Sequence, residues 1–425
     1  MKLTREIRAG FAALLVFLAL GAGIGLGQEA CAETNSALTG QESSSDASVL
    51  SLEDASGEAL EAAIAAHPEL TRVHLAGSLP SYETLCEIQE RYPSLELDWT
   101  VVICGQPREK ETRELNLSGC EVTPEDLNAI VRYLPELETL NLTGADVPWE
   151  TLEAFVFEYP GIQYRYDVSL FGKTFPNDAE EVDLSGCSIK DLSQLEELLP
   201  HFPNLKKLIL SNCGQKSAAL DELDRRLTDV RVVWTVKLAG IPVRTDATWF
   251  MPEKFHKKVT DKDLVDLKYC RDMICVDVGH MKIKTCDWVA DMPNLQYLVL
   301  ADTRVTDISP LANHTKLVFL ELFYLKLDDL SPLESCTALV DLNLSHVAAD
   351  ATPISRMTWL KRLWWKQDKE TRRLPAECRS TDILPQALPN TQIEFETENS
   401  ISDGWRDGPC YYEMRDILGM FYIDS

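Results

Sequence analysis

The chain has 425 residues, 45% hydrophobic and 26% charged, a globular composition long enough to bury a sizeable core or to extend as a repeat array. Its formal charge of −27 argues against nucleic acid and anionic lipid as partners, because phosphate recognition needs clustered Lys and Arg. Such an acidic surface serves solubility first and attraction of a basic partner second.

Residues 1–32 read as a targeting segment. Lys2, Arg5 and Arg8 precede an apolar run at 9–27, and Ala30-Cys31-Ala32 has the small-x-small form of a signal-peptidase site, with the cut before Glu33. The run of 19 residues also approaches the roughly 20 needed to span a bilayer, so a retained anchor is the alternative. Gln28 and Glu29 stand where a lipoprotein signal wants small or apolar residues, which disfavours lipidation of Cys31. Every one of these readings places the body outside the cytoplasm, secreted or at the cell surface. Residues 33–56, rich in Ser, Asp, Glu and Thr, read as a disordered acidic spacer.

Residues 57–275 follow a long beat. Val73-His-Leu75, Leu140-Asn-Leu142 and Leu208-Ile-Leu210 each follow a Pro-x-Leu, and their last leucines stand 67 and 68 residues apart. Trp99-Thr-Val101, Tyr166-Asp-Val168 and Trp234-Thr-Val236 keep the same beat, each followed by a glycine: Gly105, Gly172, Gly240. Leu115-Asn-Leu117-Ser-Gly-Cys120 returns as Val182-Asp-Leu184-Ser-Gly-Cys187, with a degraded third copy near 249–251. Each unit thus holds three strands. Helical patterns lie between them at 123–133, 149–159 and 218–227, the first opened by Thr123 as cap, Pro124, and the acids Glu125 and Asp126. The Trp-Thr-Val strands run on to a glycine, which predicts a projecting hairpin.

From 276 to 366 the beat shortens to 22 residues: Leu298 and Leu300, then Leu320 and Leu322, then Leu342 and Leu344, with Asp307-Ile-Ser-Pro-Leu311 repeated as Asp329-Leu-Ser-Pro-Leu333. No single turn buries its apolar face alone, so the leucines must share one core across turns. Residues 367–425 lose the register and end in an aromatic-rich stretch. Trp405, Tyr411, Tyr412 and Phe421 read as a cap for the last turn.

These phrases resemble bacterial leucine-rich-repeat surface proteins, the short turns being internalin-like and the long units ribonuclease-inhibitor-like. The resemblance covers about 57–425. It implies an α/β leucine-rich-repeat solenoid, with a parallel sheet on the concave face and helices or short turns on the convex face. It also implies a non-catalytic binding protein. Internalin-type turns carry Asn at the ladder position, where this chain has Thr303, Leu325 and Val347.

Twelve cysteines in an exported chain suggest disulfides, yet removing Cys31 leaves eleven. Cys270 with Cys275, or Cys378 with Cys410, are candidate pairs between which spacing does not decide. Cys120, Cys187 and Cys213 share the ladder position and read as buried thiols.

Side chains alternating with the strand leucines face the concave surface. In the short turns they are Tyr297 and Val299, Phe319, Glu321 and Phe323, Asp341 and Asn343, then Arg362, Trp364 and Lys366. Aromatics with mixed charges on one face make a candidate recognition patch for a protein or glycan, formed by Tyr297, Phe319, Glu321, Phe323, Asp341, Asn343, Arg362, Trp364 and Lys366. The alternative is packing among themselves or against the cap. The basic loop at 249–258 is a tolerated insertion or a second contact. No HExxH, GxSxG, GxxxxGK[ST], zinc spacing or calcium loop occurs, so no catalytic residue, metal or cofactor is assigned. The chain is expected to act as a monomer, touching a membrane only through a retained anchor.

Overall fold

The computed structural model describes residues 48–252 and 259–420, which form two compact units: 48–113 with 123–137, and 114–122 with 138–420. The targeting segment, most of the spacer, and the basic residues at 253–258 lie outside the described residues.

In the first unit, β1 (Val49–Glu53), β2 (Arg72–Ala76) and β3 (Glu96–Ile103) pair in parallel, and β4 (Gln106–Glu109) returns antiparallel on β3. Strand β1 corrects the spacer reading at its end. Leu50 and Leu52 alternate in register with Val73 and Leu75 and join their core, an apolar period of two inside an otherwise polar stretch. Helices α1 (Gly57–Ala66) and α2 (Tyr82–Arg91) start at the capping serines Ser56 and Ser81. Helix α3 (Pro124–Tyr133) opens on a capping box in which Thr123 and Asp126 bond each other's backbone. Asp126 also accepts from the Cys104 amide at 2.7 Å, tying the helix start to the β3–β4 turn.

The second unit begins with β5 (Glu114–Asn116), β6 (Thr139–Asn141) and β7 (Gln163–Arg165), a parallel trio. A hairpin of β8 (Asp167–Leu170) and β9 (Lys173–Pro176) follows, then the trio β10 (Glu181–Asp183), β11 (Lys207–Ile209) and β12 (Arg231–Val233), then the hairpin β13 (Thr235–Leu238) and β14 (Ile241–Arg244). Helices α4 (Trp149–Glu158), α5 (Leu192–Leu198) and α6 (Ser217–Arg226) connect the strands. Among the described residues, three hairpins turn on two left-handed residues each: Cys104-Gly105, Phe171-Gly172 and Ala239-Gly240. That geometry matches strand twist, so the glycine in each repeat is a requirement of the turn.

The short turns build a seven-stranded parallel sheet in sequence order: β15 (Trp249–Phe250), β16 (Cys275–Asp277), β17 (Tyr297–Val299), β18 (Phe319–Glu321), β19 (Asp341–Asn343), β20 (Arg362–Trp364) and β21 (Gln392–Glu394). It therefore begins before 276 and ends after 366. Leu298, Leu320, Leu342 and Leu363 are register partners with no exposed surface. Twenty-two residues leave no room for a full helix, so most connections are 3₁₀ turns, as at Ser309–Leu311 and Ser331–Ser335. Asp307 and Asp329 hold the amides of Ser309 and Ser331, both at 2.8 Å, which explains the repeated Asp-x-Ser-Pro-Leu phrase. Helices α7 (Thr352–Ser355), α8 (Ser380–Ala387) and α9 (Pro409–Ile417) complete the chain. Among the described residues no helix is long and apolar enough to cross a membrane, and no two cysteines are joined, including the pairs 270/275 and 378/410.

Candidate functional site

The register brings the expected patch residues together on one sheet face. Tyr297, Phe319, Asp341 and Arg362 form one row across four strands, and Val299, Glu321, Asn343 and Trp364 form the next. That face is covered by the chain's own C-terminal segment. Trp405, Tyr411, Met414 and Leu418 pack into one buried cluster with Tyr297, Phe319, Phe323 and Trp364. Trp405, fully buried, packs with tilted rings at 5.2 Å from Phe319 and 5.4 Å from Trp364. Of the four cap aromatics, Trp405 and Tyr411 are buried, Tyr412 is exposed on the outer side of α9, and Phe421 lies outside the described residues.

The polar residues of the patch also end on this segment. Asn343 Nδ2 donates to the Ser400 carbonyl at 2.6 Å, and Trp364 Nε1 to the Ser402 carbonyl at 3.0 Å. The Arg362 guanidinium donates to the carbonyls of Gly404 and Trp405, and Lys366 to that of Glu398. Tyr297 donates its hydroxyl to Glu413 at 2.6 Å. Arg362 is held by Asp341 at 3.0 Å and lies over the rings of Trp364 and Trp405. Of the two arrangements expected for these residues, packing against the cap is the one seen. The aromatics that made the face look adhesive are satisfied by the segment that lost the repeat register.

Glu321 is the costliest group there. It is buried, among the described residues it makes no salt bridge, and its carboxylate accepts one indole N–H, from Trp405 at 2.6 Å. Burial pushes its pKa up to about 7; the Trp405 hydrogen bond opposes the shift and the charge of Asp277 adds to it. Burial likewise raises Asp341 against the pull of Arg362, and raises the Cys410 thiol beside it to about 12.

The earlier strands present Asn116, Asn141 and Asp183. Each accepts from the amide two residues on, at 3.1, 3.0 and 2.8 Å, so these side chains close the strand-end turns.

A second feature lies at the ends of the short strands. His280, Asp302, Tyr324 and His346, spaced 22 residues apart, all have left-handed backbone, with φ of 63°, 53°, 62° and 66°. In the earlier strands the equivalent position is Asp54, Gly77, Gly119, Gly144, Gly186 or Asn212. Glycine fits there at no steric cost, whereas a tyrosine is strained. Successive amides of the column bond the carbonyl of the next turn, from Tyr324 to Ser345 and from Asp302 to Phe323. His280 pairs with Asp302 at 3.0 Å, both exposed. The Tyr324 ring stacks on His346 at 4.2 Å and 5°, yet Tyr324 remains 50% exposed. His346 faces Asp368 at 3.6 Å; its pKa is lowered by burial, against the opposing charge of Asp368. Sequence reasoning missed this column, although its 22-residue beat was readable.

His314 is buried and bonded to the carbonyls of Leu311 and Val289, and His201 lies between Tyr166 and Glu153. Among the described residues no three His, Cys, Asp or Glu side chains form a metal cluster.

Residues 293–335 match the family described as leucine rich repeats, in two copies. No curated protein matches the chain. Similar solved structures include an internalin from Listeria monocytogenes, at 18% identity over 75% of this chain and 75% of that one, with a TM-score of 0.27. Another is a leucine-rich-repeat protein from Leptospira interrogans, at 16% identity over 84% and 90%, with a TM-score of 0.25. The fold is an α/β leucine-rich-repeat one: the matched turns are the center of the sheet described above, and the same leucine register runs on either side of them.

Proposed function

We propose that this is an exported, non-catalytic bacterial leucine-rich-repeat protein that binds a protein or glycan partner, and that in the short turns the contact surface is the column His280, Asp302, Tyr324 and His346. One observation carries the reading: a half-exposed tyrosine, Tyr324, occupies left-handed backbone between Asp302 and His346, at a position that the earlier strands fill with glycine, asparagine or aspartate. Strain at Tyr324, of order 1 kcal/mol, persists where the side chain is needed. The neighbouring sheet face is filled by the chain itself, so the column is the open aromatic surface of these turns. Stacked rings beside Asp302 and Asp368 offer a flat apolar platform with hydrogen-bonding edges. Export rests on the targeting segment at 1–32.

The test is capture from culture medium and from host extract, alongside a glycan panel, using the full chain. Tyr324→Gly combined with His346→Gly keeps a backbone-compatible residue at each position. A partner retained by wild type and by Asn116→Ala but lost by the double variant supports the reading. A partner retained equally by all three, or no partner in any arm, contradicts it and favours a structural role in the envelope.

A further inference from the structure

The contacts between the sheet face and the C-terminal segment are those of a receptor with a peptide. Arg362, Trp364, Asn343 and Lys366, from adjacent turns, donate to backbone carbonyls of the segment at residues 398, 400, 402, 404 and 405. One tryptophan is inserted between Phe319 and Trp364 and is anchored through its indole N–H on Glu321. Backbone carbonyls read by side chains around one aromatic anchor is a recognition mode for an extended or turned segment. The inner, leucine side of the same sheet has no such groups.

Two features of the seat work against closure. The buried Glu321 must be held either protonated or ionised at a cost. The titratable and charged groups around it are Asp277 and His280 from the turn of β16, and Arg406 and Tyr411 from the segment. Farther along the seat lie the Asp341–Arg362 pair and Glu413. Gly408 passes so close to the Arg362 guanidinium that a Cβ would overlap it, at 1.5 Å from Nη1, while its φ of −78° is ordinary. The glycine is there for space, so a single methyl group at residue 408 works against the closed form.

We propose that the sheet face of the short turns is a binding site for a tryptophan-anchored peptide segment, closed in cis by this chain's own residues 398–420, which detach as a unit from turns that stay folded. The site adjoins the left-handed column at His280 but does not rest on the column's binding a partner. Its trans occupant is the same segment, supplied by a second copy or as a free peptide.

Closure weakens as pH rises. Glu321 is raised from 4.5 to about 7 in the closed form, so closing is favoured while the carboxyl is protonated and loses that advantage above about 7. With an ordinary value in the open form, the closing constant falls about tenfold from pH 6 to pH 8.

Hydrogen exchange on the full-length wild-type chain tests detachment directly. Amides in 398–420 are expected to open without those of 276–366, about tenfold more at pH 8 than at pH 6 after correction for intrinsic exchange. Glu321→Gln is expected to flatten that dependence. Exchange of 398–420 only together with the turns, or the same pH response in wild type and Glu321→Gln, overturns the proposal. A labelled synthetic peptide of residues 398–420 tests the trans site. It is expected to bind full-length Gly408→Ala at least about tenfold more tightly than wild type, and a Trp405→Ala version of the peptide is expected not to bind. Failure of the peptide to bind Gly408→Ala, with exchange in the turns unchanged, also overturns it.

Discussion

Residues 138–246 and 249–394 both set parallel strands over a leucine core, the first with two added antiparallel hairpins, yet they finish their parallel strands differently. In the first region the left-handed position after the strand is Gly144, Gly186 or Asn212, and Asn141 and Asp183 on the sheet face serve the local turn. In the second the same position holds His280, Asp302, Tyr324 and His346, and the sheet face carries Phe319, Glu321, Asp341 and Trp364 beneath the chain's own Trp405. The first region fills that position with glycine or asparagine, residues that take left-handed backbone readily. The second keeps strained and costly residues at the same positions of the repeat, which marks it as the part shaped for more than folding.

The contrast can be broken in order of size. Trp405→Ala removes a fully buried ring and the one hydrogen bond to Glu321, and is expected to cost about 3–5 kcal/mol in denaturant unfolding of the second unit. Trp149→Ala, on a half-buried ring in the first region, is expected to cost well under half of that. Similar losses for the two would erase the contrast. Next is pH. Because Glu321 is raised from 4.5 to about 7, its contribution is complete below its ordinary value and is lost as pH rises through about 7, on the order of 3 kcal/mol in total. Stability of wild type relative to Glu321→Gln should fall over that window, and a flat or rising difference would contradict the burial account. The smallest effect concerns the column. Gly186→Ala, whose Cβ would meet nothing within 4 Å, pays only the left-handed backbone, about 1 kcal/mol. Tyr324→Gly is expected to cost less than Gly186→Ala, because relief of strain offsets the loss of a half-exposed ring. A larger cost for Tyr324→Gly would show that the column is structural.

The leucine beat made the fold legible, since strand, core and register follow from apolar spacing alone. Gly105, Gly172 and Gly240 likewise gave the hairpins, because only a few residue types suit a two-residue turn with both residues left-handed. The patch residues from Tyr297 to Lys366 were correctly placed on one face. What covers them was not legible, because residues 398–420 have no periodic pattern and their docking depends on contacts such as Tyr297 with Glu413, 116 positions apart. The end of the spacer was misread because Leu50 and Leu52 supply only a short alternation inside a polar stretch. The column escaped because it depends on backbone conformation, which His, Asp and Tyr do not announce as glycine does.

The central claim is that the C-terminal segment sits on the sheet face of the short turns. A double-mutant cycle between Tyr297→Phe and Glu413→Ala tests it most directly, since that hydroxyl–carboxylate bond at 2.6 Å joins the two across the interface. A coupling energy of about 1–2 kcal/mol is predicted for a part-buried hydrogen bond to a charged group. Additivity of the two single effects within about 0.3 kcal/mol would contradict the account.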